Sequence, residues 1–407
     1  MKFLRLMPRF RLNRRIIVAL AVVAVFIGTG AAVWVTNPSA NDPLEAYAKQ
    51  VIKKCAKTPS PTSCYDTEIP KLMDRGVTME QAFQVTALIQ NKTQGYFYCH
   101  VLGHNLAGKE TAKDPTKWTE VIGECPAGQC SNGCIHGAAQ ERFKAESLTP
   151  PQVQSVLPEL SDICFGTARN FTGLERNSCT HTLGHLAMYL TKGDVTAATG
   201  ICDTIATHDG EDHTIACYEG VFMMVFQPLE PEDFGLVRDY APTTRISAQK
   251  YCDSFSGERQ GACLRQAWPL YENGLFTPLG LQAFCSLSPV QHQQDRCYSA
   301  QFYNLTAQYQ FDVQRVSSVC AALPAQLMKQ CFSMSATRFV DTDYRLAPRS
   351  AELCGIAESK GVGDACYQQL LFFSTYNYHS GSPEFTAFCE YLPGKWKEKC
   401  LAGNGSA

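Results

Sequence analysis

The chain is short of most signals that identify a soluble enzyme. It holds no Gly-x-Ser-x-Gly elbow, no phosphate-binding glycine loop and no His-Glu-x-x-His helix, so the motif-based hydrolase, nucleotide and zincin readings have nothing to stand on. Stretches that alternate apolar and polar residues are scarce, which argues against a sheet protein. Basic charge is also in short supply: six of the 36 Lys and Arg residues lie in the first fifteen positions, while all 38 Asp and Glu residues come after Asn41. The remainder is net acidic and lacks the basic face that nucleic acid requires. Long hydrophobic runs are absent save one.

That one run is Ile16–Val35, twenty residues without a charge, long enough at about 1.5 Å per residue to cross roughly 30 Å of hydrocarbon. Lys2, Arg5, Arg9, Arg11, Arg14 and Arg15 precede it, an order that keeps the N-terminus in the cytoplasm and exports the rest of the chain. The expectation is a basic cytoplasmic segment at 1–15, a single-pass signal-anchor helix at 16–35 and a linker at 36–50. A cleaved signal peptide, with Pro38-Ser39-Ala40 as a poor cleavage site, is the competing reading. Either way the bulk of the protein meets a periplasmic or extracellular, oxidising compartment.

What the chain has in abundance is cysteine, twenty in all. In such a compartment an even set reads as disulfides. Nine pairs stand out: 55/64, 125/134, 164/179, 202/217, 252/263, 285/297, 320/331, 354/366 and 389/400. Cys99 and Cys130 are left over; by elimination they bond each other, with Cys125 as the other partner open to Cys99. The second members Cys263, Cys297, Cys331, Cys366 and Cys400 succeed one another at steps of 34, 34, 35 and 34, which marks a structural repeat. Thr277-Pro278 and Ser382-Pro383 read as helix starts, Thr78 with Gln81 as a capping box, and Cys263–Asn273 as a helix stopped by Gly274. The predicted fold is therefore all-α: a disulfide-stapled αα-hairpin repeat array, an α-solenoid, behind one transmembrane helix. Residues 51–235 form the repeats that carry the histidines. Residues 236–407 form a scaffold or partner surface.

The repeat register makes the nine histidines informative, since five closely succeed a second-member cysteine. They are His100 and His104 in Cys99-His-Val-Leu-Gly-His, His136 in Cys134-Ile-His-Gly, and His181 and His185 in Cys179-Thr-His-Thr-Leu-Gly-His. Glu219 stands two residues after Cys217, where His136 and His181 stand after theirs; the same place holds Arg265, Ser299, Ser333 and Gln368 later on. Histidines at i and i+4 share a helix face and can chelate one ion through neutral imidazoles. Equivalent positions in stacked hairpins project from one side, so these six side chains, joined by Gln140 and Glu141 near His136, are expected to meet in one groove. Such a nitrogen-rich set suits zinc, copper or iron. Were the centre catalytic, Glu141 or Glu219 would serve as proton acceptor. Gly103 and Gly184, inside the helices, imply close approach of another helix, a substrate or a cofactor.

Other readings compete. Histidines can simply fill polar positions between repeats, and the protein can be a non-catalytic solenoid that binds a peptide, glycan or envelope protein. Cys125, Cys130 and Cys134 could hold zinc if reduced. Two imidazoles could ligate haem, although Cys130-Ser-Asn-Gly-Cys134-Ile-His136 has the wrong spacing for a covalent attachment. Thr207–His213 reads as a solvated loop, and Met188, Met223 and Met224 as core.

Overall fold

The computed structural model describes residues 43–403, apart from 94–95, 97–98, 127–128, 144–149, 167–169, 206, 209–210 and 229–230. The expected membrane segment at 16–35 lies outside the described residues; among those described, no helix is long and apolar enough to cross a membrane. Among the described residues every regular element is a helix, except for a two-residue antiparallel ladder pairing β1 (Thr207–His208) with β2 (Glu211–Asp212). That ladder occupies part of the segment read as a loop.

All twenty cysteines lie in ten disulfides, and none is free. The nine spaced pairs bond as the sequence implies. The two remaining cysteines, Cys99 and Cys130, bond each other, which closes off a cysteine zinc cluster. In most repeats the bond ties the end of one helix to the body of the next, as Cys285 at the end of Pro278–Cys285 is tied to Cys297 inside Gln291–Gln308.

Local chemistry sets the helix boundaries. Thr78 and Gln81 form the reciprocal capping box, with Gln81 N donating to Thr78 Oγ1 at 3.2 Å and Thr78 N to Gln81 Oε1 at 3.0 Å. Thr277 and Ser382 accept from the third residue of their helices, each with proline at the first helical position. The helix expected to run to Asn273 instead stops at Gln266. Pro269 cannot continue it, and the chain passes through a 3-10 turn at Trp268–Tyr271 before Gly274 reverses it at φ +87°.

Eight helices, each the second of its repeat, pack successively in one layer: α1 (His100–Thr111), α2 (Gly133–Phe143), α3 (Gly173–Leu190), α4 (Thr214–Phe226), α5 (Gly257–Gln266), α6 (Gln291–Gln308), α7 (Ala325–Thr342) and α8 (Gly363–Asn377). Two apolar cores hold the layers together, one from Ala48 to Leu264 and one from Leu275 to Cys400. The array also curls back on itself. Helix α8 touches α3, where the Tyr376 ring lies over Gly173, and α7 touches the turn at Cys130–Asn132. Arg345 Nη2 donates to Gln90 Oε1 across the same seam. Helices α7 and α8 therefore lie against α3 and the turn before α2, which brings the C-terminal half next to the histidine-bearing helices.

Candidate metal centre

Two helix pairs in this layer touch backbone to backbone. A Cβ on Gly133 would lie 2.1 Å from the His100 carbonyl oxygen, and one on Gly137 would lie 2.2 Å from that of His104. Gly103 reciprocates against Cys134 N at 2.8 Å. The pair α3/α4 repeats the arrangement, with Gly184 against the Cys217 oxygen and Gly220 against the His181 oxygen, both at 2.0 Å. The approach that Gly103 and Gly184 imply is thus that of a neighbouring helix. Only glycine lets two helices come this near, and this brings imidazoles from different helices into contact.

The ring centroids of His100, His104 and His136 lie 4.7, 4.9 and 5.2 Å apart. His104 Nε2 sits 3.1 Å from His100 Nε2. The three side chains are buried, and each offers a ring nitrogen within 4.8 Å of the others. His136 is also 5.6 Å from His181 and 5.5 Å from His185, which are 5.0 Å from each other. All five histidines singled out by register therefore form one cluster. His181 is only half-buried and marks its accessible side.

Partners fix some of the rings. The Nδ1–H of His100 donates to the Ser131 carbonyl at 3.2 Å. That carbonyl is aimed by an unusual turn: Cys130, Ser131 and Asn132 take φ values of +50°, +50° and +57°, a left-handed run that costs roughly 1–3 kcal/mol per non-glycine residue. The Cys99–Cys130 bond and the Asn132 Nδ2 to Ser178 Oγ hydrogen bond at 3.1 Å hold the turn in place. His181 donates to the Ala216 carbonyl, Gln140 hydrogen-bonds His104, and the Gln140 amide nitrogen donates to Tyr189 Oη at 3.2 Å. Tyr189 in turn donates to Asp233. His185 Nε2 is buried and has no hydrogen-bond partner among the described residues.

Burial pushes all five imidazoles below their usual pKa, and repulsion by neighbouring histidines adds to it for His100, His104, His136 and His185. His100, His136 and His185 fall well below, and His104 falls to about 4. For His181 the charge of Glu219 partly offsets burial. At neutral pH the cluster is a set of neutral nitrogen donors, the protonation state that a metal ion requires.

The two carboxylates read as proton acceptors are placed differently. Glu219 lies where its charge acts on His181, but its Oε1 accepts from Arg265 Nε at 2.7 Å. Glu141 Oε2 lies 3.7 Å from the Cβ position of Gly108, one helical turn past His104. The structure also brings in residues that spacing did not reveal. Arg338 of α7 acts electrostatically on His100 and stacks 3.9 Å from the Tyr303 ring. Asp341, one turn further, is buried and bonded by Asn377; burial raises its pKa to about 7. Both come from the half expected to be scaffold. The signal available was two charged residues, Arg338 and Asp341, among the apolar residues Phe339 and Val340 of one helix.

No protein-family model, curated protein or solved structure matches this chain. Its function therefore rests on the chemistry of the site itself.

Proposed function

We propose that this is a membrane-anchored, extracytoplasmic helical-repeat protein whose His100, His104 and His136 hold a first-row transition-metal ion. One observation carries the proposal: three buried neutral imidazoles from two helices that touch through glycine, with ring nitrogens all within 4.8 Å. Two nitrogens bound to one ion at about 2.0–2.1 Å lie roughly 2.9–3.4 Å apart, and His100 and His104 stand at 3.1 Å. Ring separations of 4.7 to 5.2 Å agree with the same coordination. The Ser131 carbonyl that accepts from His100 Nδ1 is the kind of outer partner that orients a ligand ring.

Zinc, copper or iron all suit an all-imidazole set, and the ion would supply a Lewis acid or, for copper or iron, a redox centre. The half-buried His181 forms the accessible wall, with the Glu219 carboxylate acting on it while held by Arg265. The disulfides and the charge order around residues 16–35 support the extracytoplasmic, anchored placement. Metal analysis of the purified full-length protein tests the reading. It predicts a stoichiometric first-row ion that is lost on His104→Ala or His136→Ala; a wild-type protein that neither retains nor takes up zinc, copper or iron overturns it.

A non-catalytic partner-binding role has one observation in its favour. An open groove of about 560 Å³ is lined by Tyr240, Tyr251, Phe255, Thr196 and Arg259, aromatic and polar in the proportions that suit a peptide or glycan.

A further inference from the structure

We infer that His181 and His185 hold a second metal ion, so that the five histidines form a two-ion centre divided three and two. The inference rests on the metal-binding reading above and extends it to a site of its own.

Three observations divide the cluster. Two imidazoles on one ion at about 2.1 Å keep their centroids roughly 4.5–5.3 Å apart across octahedral to tetrahedral angles. The separations within His100, His104 and His136 fall in that range, as does the 5.0 Å between His181 and His185. Those that bridge the two groups, 5.6 Å for His136–His181 and 5.5 Å for His136–His185, exceed it.

Orientation agrees. Imidazole lone pairs lie in the ring plane, and the rings of His136 and His181 are stacked at 14°. Near-parallel rings at this separation lack the edge-on arrangement found among His100, His104 and His136, in keeping with a division between His136 and His181.

The third observation is His185 itself. It is only 7 % exposed, and among the described residues its Nε2 has no hydrogen-bond partner. A buried polar nitrogen left unmatched costs about 1–3 kcal/mol. Its neighbour His181 is oriented by the Ala216 carbonyl, as His100 is by Ser131. Each pair thus has one ring fixed by a backbone carbonyl, and each sits on a glycine-mediated helix contact, α1/α2 or α3/α4. Glu219 acts on His181 through its charge, although its carboxylate is engaged by Arg265, so the second ion would be held by the two imidazoles alone.

The test is a titration of the chelator-stripped, disulfide-intact full-length protein with cobalt(II), monitored by its visible absorption and by equilibrium dialysis. Two equivalents should bind to the wild type, and one each to His185→Gln and His104→Gln, with circular dichroism checking the fold. Saturation of the wild type at one equivalent overturns the two-ion inference and leaves the single-ion reading standing. No binding at all overturns both. If the variants fail to fold, the wild-type stoichiometry alone decides.

Discussion

The two halves of the array share one scaffold and differ in how closely their helices approach. In both, a disulfide ties consecutive helices, and the second helices stack in one layer. In the N-terminal half, glycines at 103, 133, 137, 184 and 220 let α1 meet α2 and α3 meet α4 at the backbone. In the C-terminal half, Phe302, Phe332, Phe339 and Leu370 fill the space between helices, all fully buried. Spacing decides chemistry. Helices at backbone contact can bring imidazoles into a cluster, whereas the helices spaced by phenylalanine bury a different polar set, Arg338, Asp341 and Asn377.

The strongest way to break this comparison is to add a methyl group. Gly137→Ala or Gly220→Ala would place a Cβ 2.2 or 2.0 Å from a carbonyl oxygen, and should cost more than about 4 kcal/mol or abolish folding, read by thermal melting. Gly355→Ala, in a C-terminal helix where the new Cβ meets only Tyr367 Oη at 4.0 Å, should leave stability unchanged or raise it by up to about 1 kcal/mol in the same measurement. Equal effects in the two halves would contradict the account.

Removing staples should give a smaller contrast. Cys99 and Cys130 are 31 residues apart, and replacing both with serine should cost about 4 kcal/mol; the same change at Cys354 and Cys366, 12 apart, should cost about 3 kcal/mol. Only the first should also weaken metal retention, because it releases the turn that aims the Ser131 carbonyl at His100.

Smaller still, and confined to binding, is the effect of removing a side chain in each half. His136→Ala should lower metal affinity at least 100-fold, or about 3 kcal/mol, by competition with a chelator. Asp341→Asn should change it by less than about tenfold, the lower end of outer-partner effects.

The pH dependence of the metal-free protein also separates the halves. A histidine whose folded pKa is depressed binds fewer protons folded than unfolded, so its stability is complete above about pH 6.5 and is lost as pH falls toward 4, the value for His104. Asp341 acts in the opposite sense: raised to about 7, it favours the folded state most below about pH 4, and that contribution fades as pH rises to 7. Stability measured by denaturant between pH 4 and 6.5 should therefore climb more steeply with pH in Asp341→Asn than in the wild type. A slope unchanged by the substitution would remove Asp341 from the buried interior.

Much of the architecture was legible in the sequence because disulfides and repeats act locally. The spacing of cysteines fixed nine pairs, and the Thr78–Gln81 cap reads directly from the two residues themselves. The histidines could be grouped because each helix that carries them is anchored by a cysteine just before them. What was hidden depends on how the layer curls. Arg338 and Asp341 lie seven and ten residues past Cys331, well beyond the position compared between repeats, and reach the interior only because α7 returns to the Cys130–Asn132 turn. The left-handed run there was equally invisible, since Cys130, Ser131 and Asn132 adopt it under the constraint of a disulfide and a side-chain bond to another helix.

X-ray absorption at the metal edge of the zinc-loaded full-length protein tests the central claim most directly. Imidazole ligation by His100, His104 and His136 predicts a first shell of nitrogen or oxygen at about 2.0–2.1 Å with the outer-ring scattering of histidine. A shell containing sulfur at about 2.3 Å, or one without imidazole scattering, would contradict it.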